Sequence, residues 1–131
     1  MMYLLDTNTC IYVINHRPVQ VFERFKQYPL GALAISSITA SELAFGVEKS
    51  GSERNKQALN KFLAPLDICP FDERAIWYYA RLRNSLQARG KTIGSLDMLI
   101  AAHALALDAV LVTNNLKEFE RVAGLRLDNW V

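Results

Sequence analysis

The sequence predicts an α/β domain, with helices layered on both sides of a central, mostly parallel sheet of four or five strands. Apolar runs too short for helices recur along the 131 residues, at Tyr3–Leu5, Leu30–Ile35, Leu66–Cys69 and Val110–Val112. Between them lie longer stretches with helical spacing, bounded by Ser, Asp, Pro and Gly where helices start and stop. Strands that alternate with helices imply a parallel sheet, because each return crosses through a helix. The length suits a single domain, residues 1–131, and a hydrophobic content of 51% supplies its core.

The elements follow in order. Residues 3–6 form a buried strand, and Asp6 or Thr7 caps a helix over 8–16 that His16 closes. Pro18 breaks that helix and begins another through about Gln27, since proline suits a first helical turn. Leu30–Ile35 is the second strand. Ser36 or Ser37 caps a helix to about Glu48. After the Ser50-Gly51-Ser52 turn a helix runs from Glu53 to Leu63, stopped by Pro65. Leu66–Cys69 is the third strand. The longest helix spans Asp72 to Arg89, with a stripe of Ala75, Tyr79, Leu82 and Leu86 and Gly90 as its stop. Beyond a loop at 91–94, Ser95 caps a helix to about Leu107 that is apolar nearly all round, hence buried. Val110–Val112 is the fourth strand, Leu116–Phe119 a helical turn and Leu125–Leu127 an edge strand.

Bulk properties narrow the function less. Fifteen basic and 13 acidic residues leave a net charge of +2, which neither requires nor excludes a nucleic-acid partner. Cys10 and Cys69 each lie in apolar context and form no CxxC pair, so they read as ordinary thiols. Asp6 interrupts the first apolar run too early for a signal peptide, and no stretch has the length of a membrane span. The expected location is the cytoplasm.

Four carboxylates carry more information. Asp6 ends the first strand, Glu42 lies one helical turn from Ile38 and Phe45, Asp97 is spaced with Ile100, Ala101 and Ala104, and Glu118 follows the last central strand across a turn. Each has a plain structural reading: Asp6 as a cap, Glu42 in an ion pair, Asp97 against a helix dipole, Glu118 on a solvated face. Together they say more, because acids beside apolar surface are costly without a cationic partner. In parallel sheets, ligands bind beyond the carboxyl ends of the strands, where this topology lets all four meet. His103 lies on the apolar helix and reads as a satisfied core histidine.

Four stretches resemble the motifs of PIN domains, and of VapC toxins in particular. They are Leu4-Leu5-Asp6-Thr7-Asn8; Ile35 to Leu43 with Phe45-Gly46; Gly94 to Ala104; and Val112 to Phe119. They come in order between residues 4 and 119, and the resemblance covers essentially the whole chain. The resemblance implies a three-layer α/β/α fold and an Mg²⁺-dependent endoribonuclease, with Mn²⁺ as substitute, acting on structured RNA such as tRNA. It implies a VapB-type antitoxin as partner, a homodimer within the toxin–antitoxin complex and no membrane association. Asp6, Glu42 and Asp97 match the family's acidic core. At the fourth corner this chain has Asn115 where many relatives carry Asp, and Glu118 just before the Phe. Either residue is placed to serve a second ion or to support the first.

The chemistry of these residues agrees with that implication. Mg²⁺ takes a few carboxylates, waters and phosphate oxygens, and it acidifies a bound water for attack on phosphorus. Asp6, Glu42, Asp97 and Glu118 are the candidate catalytic residues, with Asp6, Asp97 and Glu42 as metal ligands. Thr7, Asn8 and Thr113 stand nearby as polar support, and Arg81, Arg89 and Lys91 as phosphate contacts. The alternatives are a flap-like DNA nuclease of the same acidic architecture and a catalytically silent binding module.

Overall fold

Five short strands form one wholly parallel sheet in the computed structural model, which describes the backbone of residues 1–131 and every side chain except that of Leu30. They are β1 (Tyr3–Leu5), β2 (Leu33–Ser36), β3 (Asp67–Cys69), β4 (Val110–Val112) and β5 (Arg126–Asp128), in the order β3-β2-β1-β4-β5. The chain builds outward from β1 to one side, then returns to add β4 and β5 on the other. Strand order therefore reverses between β1 and β4, and a crevice opens at such a reversal.

Successive side chains on a strand face opposite ways, so each strand feeds two cores. Leu4 and Leu111 pack with Leu82, Leu86, Ile100 and Phe119. Leu5 and Val112 pack with Cys10, Val13, Leu43 and Phe62. The second face is covered by α1 (Thr7–Asn15), α2 (Val19–Lys26), α3 (Ser37–Ser50) and α4 (Glu53–Leu63); the first by α5 (Glu73–Ala88), α6 (Ser95–Ala106) and the single turn α7 (Leu116–Phe119). This is the three-layer arrangement expected.

Caps explain most boundaries. Asp6 accepts from Thr9 N–H at 2.8 Å, Ser36 from Ile38 N–H at 3.0 Å, Ser52 from Asn55 N–H at 3.1 Å and Asp72 from Ala75 N–H at 3.2 Å. His16 closes α1 in the left-handed region (φ 56°), and its N–H returns to Val13 O. Gly90, at φ +65°, takes the left-handed position beyond α5 that a side chain would strain.

Two expectations need correction. Leu30–Ala32 is a 3₁₀ turn, so β2 starts at Leu33 and runs through Ser36. Ser95 does not cap α6: Gly94 holds that place without a side-chain bond, and its peptide N–H is used in the candidate site instead. Among the described residues no helix is long and apolar enough to cross a membrane.

Candidate active site

Asp6 stands where β1 becomes α1. Its peptide N–H continues the β1–β4 pairing by donating to Val112 O at 3.0 Å, and Oδ1 is spent on the α1 cap. The side chain is only 7% exposed, yet no cationic group pairs with it. Among the described residues the ion pairs are Arg24–Asp128, Lys26–Glu23 and Arg126–Asp108, and none involves Asp6, Glu42, Asp97 or Glu118. The ion-pair reading of Glu42 is thereby removed.

Glu42 lies in the second turn of α3, half-buried, with Oε1 accepting the Thr7 hydroxyl at 2.7 Å. The premise that it shares a buried stripe with Phe45 does not hold, because Phe45 is 67% exposed. α3 turns Thr39 and Leu43 into the core. The Glu42 side instead looks over the carboxyl edge of the sheet.

Asp97 sits in the first turn of α6. Its carboxyl is pushed up to about 6, first by burial, then by the charge of Glu118 and a hydrogen bond with it, then by the charges of Asp6 and Glu42. Asp97 thus senses the other three acids, which arrive from β1, α3 and α7. Of Asp97 and Glu118, Asp97 is the one that takes up a proton first as pH falls. Glu118 goes the other way and is held below the usual carboxylate range, chiefly by the Gly94 peptide N–H, with the Asn115 amide, Asp97 and Arg121 assisting.

Around Glu118 the bonds are short. Oε1 accepts from Gly94 N–H at 2.6 Å and Oε2 from Asn115 Nδ2 at 2.6 Å, while Thr113 Oγ1 accepts the Asn115 peptide N–H at 3.0 Å. A Cβ on Gly94 would stand 3.3 Å from Asp97 Oδ2 and 3.5 Å from Glu118 Oε1. Glycine lets this peptide approach both carboxylates. The sequence treated it only as loop, although a glycine immediately before a buried helix marks a close approach.

Glu42 and Asp97 line a depression of about 460 Å³ together with Gly94, Ser95 and Leu96. Among the described residues no three Asp, Glu, His or Cys side chains converge on one point. Asp6, Glu42 and Glu118 are each drawn toward their own donors, and like charges keep apart. Glu42 also borders a groove of about 590 Å³ between α1, α3 and α4, with Ile11, Ile14, Val47 and Leu59 in its walls.

Other candidates take supporting or structural places. His103 is a core residue, 1% exposed, with Nδ1 at 2.7 Å from Ser36 Oγ and its ring edge-on to Phe71. Burial lowers its pKa and keeps it neutral. The Cys10 thiol is raised by burial and by Asp6, so it is inert. Asn8 is exposed. Arg81 lies over the Tyr78 ring, and Arg89 donates to Arg121 O at 3.1 Å.

The family model described as PIN domain matches residues 3–125. The chain is a PIN domain. It is 45% identical over 132 residues to Ribonuclease VapC2 of Rickettsia felis, covering 99% of this chain and 98% of that protein. To the tRNA(fMet)-specific endonuclease VapC of Shigella flexneri it is 40% identical over 131 residues, with 99% and 98% covered. The crystal structure of VapBC2 from Rickettsia felis bound to a DNA fragment from their promoter superposes with a TM-score of 0.92 at 44% identity, over all of both chains. This PIN domain therefore belongs with the VapC ribonucleases.

Proposed function

We propose that this PIN domain is the toxin of a toxin–antitoxin pair and acts in the cytoplasm. It hydrolyses phosphodiester bonds of structured RNA, tRNA foremost, with the help of a divalent metal. One observation carries the reading: Asp97 feels the charges of Glu118, Asp6 and Glu42, and among the described residues no basic side chain is paired with any of the four. A site that raises its own carboxyl to about 6 is built to receive positive charge. Its donors are carboxylate and amide oxygens, hard ligands that suit Mg²⁺ with Mn²⁺ as substitute. Asp6 and Asp97 would hold the ion, with Glu42 beside them and Asn115 or Glu118 at the fourth corner. A bound divalent ion supplies an acidified water and a positive charge facing the phosphate. The chain's own groups hold the geometry: Thr7 fixes Glu42, and the Gly94 peptide fixes Glu118.

The name of the Shigella flexneri relative supports tRNA as the substrate class. The VapBC2 assembly supports a VapB-type antitoxin as partner. The groove bordered by Glu42 fits an apolar segment of that antitoxin and leads it to the acids. Trp77 and Ile76 on α5, 59% and 51% exposed, favour a homodimer within the complex, whereas Tyr78 and Tyr79 pack on the core.

The test is cleavage of tRNA and of single-stranded DNA by the purified chain, with Mg²⁺, Mn²⁺ or EDTA. RNA cut only in the presence of metal is the expected result. Cleavage confined to DNA, or unaffected by EDTA, overturns the proposal.

A further inference from the structure

The fourth corner of the site holds two residues of different character, Glu118 and Asn115. Both oxygens of Glu118 are already engaged, one by the Gly94 peptide and one by the Asn115 amide, each at 2.6 Å. Only the NH₂ end of Asn115 can face a carboxylate, so that contact settles the orientation of the amide. Oδ1 is turned away from Glu118, and among the described residues no donor bonds it. The backbone carrying both residues is pinned independently. Phe119 is buried in the core, Arg121 donates to Thr92 O at 3.0 Å, and Arg89 donates to Arg121 O at 3.1 Å.

We propose that Glu118 is a positioning residue: it clamps the Gly94 peptide and the Asn115 amide, so that Asn115, not Glu118, presents the fourth oxygen to the cation and phosphate. This rests on the metal-dependent reading above. Glu118 ties α7 to the start of α6 and so sets the placement of Asn115 relative to Asp97. The two short bonds fix the face that Asn115 shows to the site. A cation at Glu118 would have to share an oxygen already drawn to one of these short bonds, whereas Asn115 Oδ1 accepts no bond among the described residues.

The clamp can be inverted. Glu118→Gln keeps an oxygen for Gly94 N–H but sets an NH₂ against the NH₂ of Asn115. The Asn115 amide then turns over and shows a donor to the site. Asn115→Asp sets a carboxylate against Glu118 and breaks the clamp by repulsion. The double variant, Glu118→Gln with Asn115→Asp, restores a donor–acceptor pair. The amide introduced at position 118 donates to one oxygen of the carboxylate introduced at position 115 and leaves the other oxygen for the site.

The experiment measures RNA cleavage by the full chain and the three variants, and Mn²⁺ binding to the RNA-free chains by electron paramagnetic resonance. Asp97→Asn is the reference for a lost ligand. Each single variant should lose about 10–100-fold in cleavage, the usual effect of removing a residue that orients a ligand, and the double variant should recover most of it. RNA-free Glu118→Gln should retain the Mn²⁺ binding that Asp97→Asn loses. The proposal is overturned if Asn115→Asp alone cleaves at the full rate, if the double variant is no better than either single one, or if Glu118→Gln loses Mn²⁺ as completely as Asp97→Asn. If the unsubstituted chain and Asp97→Asn both bind no Mn²⁺, the metal-dependent reading itself fails, and the clamp's role with it.

Discussion

Thr7 Oγ1 donates to Glu42 Oε1 across 2.7 Å, joining the first residue of α1 to the second turn of α3. The two residues are 35 positions apart, so the bond forms only once the sheet has assembled. It holds one acid of the proposed active site in place. Thr7→Val keeps the shape and removes the donor, leaving Glu42 free to rotate. RNA cleavage should fall about 10–100-fold, as for other groups that orient a metal ligand. The stability loss should be near ~1 kcal/mol, typical of one partly exposed hydrogen bond. Thr7→Ser should keep most of the rate. Single-turnover cleavage and urea unfolding measure the two effects; an unchanged rate in Thr7→Val shows that Glu42 needs no such support.

Asp6 has two duties, and they separate by substitution. As a cap it needs only an acceptor for Thr9 N–H, and Asn caps helices as well as Asp does. As a proposed ligand it needs its charge. Asp6→Asn should abolish RNA cleavage with little change in melting temperature. Asp6→Ala should abolish cleavage and also cost about 1 kcal/mol through the lost cap. Full activity in Asp6→Asn removes it from the site.

Asp97 predicts how the metal-free protein responds to pH. Its folded-state pKa of about 6 lies above the value near ~3.9 that an unfolded Asp shows. A raised pKa means that the folded state holds the proton more tightly. The associated stability is fully present below pH ~4 and is lost as pH rises through about 6. Glu118 is shifted the opposite way, so its contribution is lost only at more acidic pH, outside that window. In EDTA, the stability profile between about pH 4 and 7 should therefore slope downward less in Asp97→Asn than in the unsubstituted chain. Mg²⁺ should raise the melting temperature more at about pH 7.5 than at about pH 5, where protons compete for the same carboxyl. Thermal melts at the two pH values decide it, and an equal Mg²⁺ effect at both counts against Asp97 as ligand.

Much of this was legible in the sequence because local rules and fold agree. Caps at Asp6 and Ser36 act within one turn of chain, and Leu4, Leu5 and the run at 110–112 are buried as strands of a covered parallel sheet must be. Asp6, Glu42, Asp97 and Glu118 each have a plain local explanation and become informative only together, because parallel topology carries them toward one edge. What was hidden depends on long-range geometry. Phe45 looked like core because helical spacing cannot say which side of α3 faces the sheet, and it proved 67% exposed. Gly94 looked like loop because its peptide N–H is used by Glu118, 24 positions further along the chain, and local spacing does not show that partner. Leu30–Ala32 read as strand because an apolar run does not reveal where the ladder begins.

The groove beside Glu42 permits separation of antitoxin binding from catalysis. Ile11 lies one turn along α1 from Thr7, is 39% exposed, and helps line that groove with Ile14, Leu43 and Val47. An apolar antitoxin segment seated there would bury Ile11 at the centre of the contact. Ile11→Asp sets a charge in that position. Because the side chain is already partly in water, the fold should lose little. Binding should weaken by about 1–3 kcal/mol, the range for truncating a central apolar anchor, or roughly 10–100-fold. Cleavage by the free toxin should be retained, since Ile11 is neither one of the four acids nor a group that holds them by hydrogen bonds. The checks are calorimetric titration with the antitoxin encoded beside the gene and the RNA cleavage rate of the toxin alone. Unchanged antitoxin affinity places the docking surface elsewhere, whereas a lost cleavage rate in the free toxin means that the groove belongs to the RNA.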